Sequence, residues 1–173
     1  VDKPFCYRKT EGKRFLSRAA ELGVPVCSYS VLPKQNSFVD FKRKMRSLGK
    51  IHSLVSTGPC DIKSKHGGVF FYGIHQVDMV LNLLGYDMAY GEVVRGTGKN
   101  HAGVITYKSG AVASMNLVGD GPARFHLSAI GENGRLDEYI SFDENTYLSG
   151  TRTFCRMFKT GKTSETVETM PVS

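Results

Sequence analysis

No apolar run in this sequence approaches the ~20 residues that a bilayer-spanning helix needs, so no transmembrane segment and no membrane partner is expected. The four cysteines, Cys6, Cys27, Cys60 and Cys155, include no CxxC pair. Zinc ligands usually come in such tight pairs, so no metal site is expected. Neither HxH nor HExxH occurs among the five histidines, which removes the common metal-hydrolase patterns. A dinucleotide fingerprint, GxGxxG, appears nowhere. Internal repeats and low-complexity segments are also missing, which excludes solenoids and arrays. Cys6 and Cys27 stand in apolar settings and read as buried thiols, which favours a reducing, cytoplasmic location.

What is present suits an ordinary folded domain. The 173 residues are 40% hydrophobic and 23% charged, and a chain of this length buries roughly 70% of its unfolded surface. The formal charge is +7, which raises nucleic acid as a partner. The basic residues are spread along the chain, however. The densest run, Lys42-Arg43-Lys44 with Arg46, falls between apolar helix positions and reads as a solvated face. No nucleic-acid module accompanies it, so no nucleic-acid partner is expected. The chain begins on Val1, and its first residues read as the interior of a longer protein.

Hydrophobic spacing divides the chain near residue 50. Residues 1–5 read as the tail of a strand broken at Pro4. A helix follows over 10–23, with Thr10 as N-cap and Gly23 as stop. VPVCSYSVL (24–32) reads as a strand parallel to its predecessor. Ser37 opens a second helix with Phe38, Phe41, Met45 and Leu48 on one face, and Asp40 stands near a capping-box position. Residues 51–58 form the next strand. GGVFFYGIHQVDMVLNLLG (67–85) then turns on glycines into a helix placed after Gly73. From residue 92, short β-branched and aromatic runs alternate with the turns Lys108-Ser109-Gly110 and Glu132-Asn133-Gly134. The tail, YLSG and TFCRMFK, reads as more of the same. The fold class is therefore an α/β remnant at 1–50, then an α+β domain at 51–173 with an open, mainly antiparallel mixed sheet.

Two residues lead as carriers of chemistry. His75 stands where a glycine-rich turn becomes a helix. The field of a helix N-terminus disfavours imidazolium and leaves a neutral ring able to accept a proton. The alternative is a histidine that only packs or caps locally. Lys3, in Asp2-Lys3-Pro4, sits at a strand end, where ligand crevices open in doubly wound sheets. The alternative is an ordinary surface lysine. Tyr72 is a phenol three residues before His75. Asp78 follows one helical turn later, where it can orient the ring, and Asn82 shares that face. All three serve as structural groups in the other reading.

Together these pieces resemble the Gfo/Idh/MocA family of NAD(P)-dependent oxidoreductases. "DKPF" (2–5) is similar to the family's EKP motif, with Asp2 in place of the glutamate. GGVFFYGIHQVDMVLNLLG is similar to the family's glycine pair followed by Gly-x-His-x-x-Asp on a helix. The resemblance implies a Rossmann domain, of which residues 1–50 are the C-terminal part, joined to a substrate and dimerisation domain at 51–173. It implies NAD or NADP as cofactor, with Lys3 and Pro4 beside the nicotinamide and Lys3 and His75 as catalytic residues. Tyr72 and Asp78 would meet a sugar or polyol substrate, and the open sheet would bury one face in a homo-oligomer. One departure stands out. Many members carry an aspartate four residues before the histidine, where this chain has Phe71. The implied activity is hydride transfer between nicotinamide and a hydroxyl-bearing carbon. The other class of function is a binding or assembly module that keeps the fold without the chemistry.

Overall fold

A computed structural model of the chain describes Lys3 and residues 5–163. Its spine is β1 (Ile51–Pro59), which lies inside a single six-stranded sheet of order β2-β3-β4-β1-β5-β6. The other strands are β2 (Met88–Val94), β3 (His101–Tyr107), β4 (Val112–Val118), β5 (His126–Gly131) and β6 (Gly134–Tyr139). β1 pairs with β4 in parallel, Ser53 opposite Val112, and every other pairing is antiparallel. The expected open mixed sheet is thus present, turning at Gly110, whose φ is +89°, and at Glu132-Asn133.

Period-2 alternation gives the sheet two unlike faces. His101, Gly103, Ile105 and Tyr107 of β3 are buried on one side, as are Ala113, Met115 and Leu117 of β4. Over this side lies α3 (Val69–Leu84), contacting β1 and β4. α2 (Asn36–Met45) joins the same core through Phe38, Phe41 and Met45. Burying each of these side chains stabilises the fold by about 1.5–3 kcal/mol. The opposite side leaves Val112 and Ile130 exposed in the middle and Tyr90, Val94 and Tyr139 exposed at the edges. Among the described residues no helix is long and apolar enough to cross a membrane.

Several local expectations are corrected. Residues 24–30 form no strand, because no described strand runs beside them to complete a ladder. Cys27, Ser28 and Ser30 are nevertheless buried there. α1 (Lys9–Glu21) starts one residue ahead of Thr10, which is not its cap, while Gly23 at φ +64° does end it. Ser37 lies inside α2, and its hydroxyl donates to the Ser141 carbonyl. The tail forms α4 (Leu148–Thr160), not strands. Its Phe154 ring stacks on Tyr29 at 5.4 Å and Gly150 meets the Tyr29 hydroxyl, so packing overrides β-rich composition. Cys27 is buried as expected, but Cys6 is only half-buried.

Candidate active site

α3 starts at Val69, earlier than the spacing around Gly73 suggests. The turn before it depends on glycine. Gly68 has φ +61°, and a Cβ there would stand 2.7 Å from the Ile62 carbonyl oxygen, a conformation and a contact that only glycine accepts. These glycines therefore bring the backbone close to the protein's own atoms. Gly73 lies within the helix, where a Cβ would sit 3.5 Å from Cys60 Sγ. His75 is consequently in the second turn of α3. The helix-end field falls off within the first turn, so that argument for a neutral ring does not apply.

Buried surroundings define the ring instead. His75 is 6% exposed. Its Nδ1 lies 2.6 Å from Ser30 Oγ. Tyr72 meets it edge-on at 5.6 Å between centroids, and Phe125 does so at 5.7 Å. Asp78, 4% exposed, accepts the Ser30 N–H through Oδ2 at 2.7 Å. Asn82 donates to Asp78 Oδ1 at 3.0 Å and to its carbonyl at 2.8 Å. His75, Asp78 and Asn82 thus share one stripe of α3, and the first two grip the segment around Ser30. The hold of Asp78 on the ring described here runs through Ser30.

Lys3 reaches the same neighbourhood from the amino-terminal end. Its Nζ donates to the Phe71 carbonyl at 2.7 Å and lies 4.8 Å from the Phe71 ring centroid and 5.4 Å from that of Tyr72. Aromatic faces attract a cation in this range. Tyr72, itself exposed, is therefore a shared neighbour of the ammonium and the imidazole. Pro4 lies outside the described residues. Cys60 is no rival nucleophile, since burial pushes its thiol up from the ordinary value.

Ser30 and Phe125 are the contributors that sequence reasoning missed. Ser30 was hidden in a segment read as a strand. Phe125 precedes β5, fifty residues beyond His75, and only the fold brings it near. Donors are present for the nicotinamide end of a dinucleotide, since Lys3 and His75 both border Tyr72. The pyrophosphate end needs a glycine-rich strand-to-helix turn, and no GxGxxG exists in the chain. The residues present therefore fit only one end of such a cofactor.

Known structures share this architecture. GenD2 from gentamicin A biosynthesis, solved with NAD, matches with TM-score 0.83 and 14% identity over 99% of this chain and 65% of its own. KijD10, a 3-ketoreductase from Actinomadura kijaniata solved with NADP, matches with TM-score 0.77 and 12% identity over 99% and 66%. An oxidoreductase from Agrobacterium radiobacter, solved with NAD+, L-tartaric acid and magnesium, gives 0.74 and 13% over 99% and 67%. No family model and no curated protein matches the sequence. The fold is that of these NAD- and NADP-bound oxidoreductase structures. The chain spans about two thirds of the length of these structures.

Proposed function

We propose that this chain is part of an NAD(P)-dependent oxidoreductase of the Gfo/Idh/MocA family, acting on a hydroxyl-bearing carbon of a sugar or polyol. The observation that carries the reading is that the Lys3 ammonium and the His75 imidazole both lie beside the Tyr72 ring, in this fold. In the oxidising direction His75 takes the hydroxyl proton, and Lys3 stabilises charge on the oxygen and borders the nicotinamide. Bound NAD or NADP supplies the hydride chemistry. Residues 1–50 belong to the cofactor domain and 51–173 to the substrate and dimerisation domain. The pyrophosphate is held by sequence beyond this chain, so the 173 residues alone do not oxidise substrate. The burial of Cys27 and Cys60 accords with a reducing, cytoplasmic setting.

Phe71 supports a second reading. Its ring stands where a relay aspartate would be and is covered by the Lys3 ammonium, as a non-catalytic module that keeps the fold would allow. Calorimetric titration of the full-length protein with NAD(H) and NADP(H) separates the two. Heat with one dinucleotide, together with a loss of about 10²–10⁴ in kcat in His75→Asn, supports the enzyme. Absence of heat with both overturns it.

A further inference from the structure

The geometry points to Ser30 as a positioning residue that holds the neutral His75 ring in the tautomer protonated on Nε2. This rests on the reading of His75 as the acid–base group but concerns a residue that reading leaves unassigned. Ser30 is 1% exposed, so its polar atoms must find partners within the protein. Its N–H donates to Asp78 Oδ2 at 2.7 Å. Its Oγ accepts the Leu32 N–H at 3.2 Å and lies 2.6 Å from His75 Nδ1.

A serine hydroxyl has one proton to place. With Leu32 donating to Oγ, the acceptor left for that proton in this network is the Nδ1 lone pair. A proton on Nδ1 would instead point a second N–H at Oγ and strand the hydroxyl proton in a buried site. Nδ1 therefore accepts, and the neutral ring carries its hydrogen on Nε2. Asp78 acts one step back. Held by Asn82, it binds the Ser30 N–H and so sets the backbone from which the hydroxyl is aimed.

Nε2 then carries a hydrogen to donate. A neutral imidazole N–H suits a carbonyl that must be polarised as hydride arrives. In the oxidising direction Nε2 must accept the hydroxyl proton, so the ring hydrogen passes to Nδ1 and the Ser30 hydroxyl turns from donor to acceptor.

The test is ¹⁵N NMR of the full chain with labelled histidine, at a pH well above the ordinary imidazole range, with His75→Gln identifying the signals. The wild type should show Nδ1 unprotonated and Nε2 protonated. Ser30→Ala should shift the population toward protonated Nδ1, and Ser30→Thr, which keeps the hydroxyl, should restore the wild-type pattern. A protonated Nδ1 in the wild type, or no change in Ser30→Ala, overturns the proposal. If Ser30→Ala does not fold, the wild-type tautomer decides alone. Neither substrate nor dinucleotide enters this measurement, so its outcome is distinct from failure of the dehydrogenase reading in calorimetry.

Discussion

Tyr107 occupies the helix-covered side of β3 with its hydroxyl buried and, among the described residues, without a hydrogen-bond partner. Burial pushes its phenol up from 10.0 to about 12. An acid whose pKa rises on folding keeps its proton longer in the native state than in the unfolded one. Tyr107 ionisation therefore lowers stability as pH rises from about 10 toward about 12. Tyr107→Phe should be as stable as the wild type or more so at neutral pH, because it removes an unpaired buried group. It should also lose less stability in that alkaline window, as read by urea unfolding at stepped pH. At Gly68 the sign reverses. Gly68→Ala forces a side chain into φ +61° and against the Ile62 carbonyl, and should cost more than about 1 kcal/mol in the same assay. The glycine pair was readable from the sequence. What lay under it was not, because the Ile62 carbonyl comes from a loop with no pattern of its own.

The helices divide by how much of their order is local. α2 was legible because Phe38, Phe41 and Met45 repeat at helical spacing, and all three are buried. Phe41 is 0% exposed, so Phe41→Ala should cost about 3–5 kcal/mol, seen as a lower urea midpoint with unchanged slope. α3 was legible in existence but not in its start, since Val69 to Tyr72 look as much like a strand as a helix. α4 was misread. Its aromatic and β-branched residues favour a strand, and its helix is completed by Tyr29 stacking on Phe154. Phe154→Ala should accelerate amide exchange in α4 while leaving β1 and β4 protected, in hydrogen-exchange mass spectrometry.

At the scale of the molecule, the sheet presents one covered and one open face. We propose a second copy of the chain as the cover, through the open side that exposes Val112 and Ile130. Sedimentation should find a dimer in the wild type, and Val112→Lys combined with Ile130→Lys should yield a folded monomer, since buried unpaired charge opposes association. A monomeric wild type would remove this part of the reading.

Local spacing and turn chemistry determined, from the sequence alone, the existence of most elements and the mainly antiparallel character of the second half. These depend on neighbours a few positions apart, where period and backbone preference act directly. The tertiary structure decided the surroundings of the ring: Ser30 at Nδ1, Phe125 edge-on to it, and Tyr72 as neighbour of both imidazole and ammonium. It also decided that residues 24–30 pack without a ladder. Such contacts join residues tens of positions apart, and they form only when burying apolar surface brings the segments together.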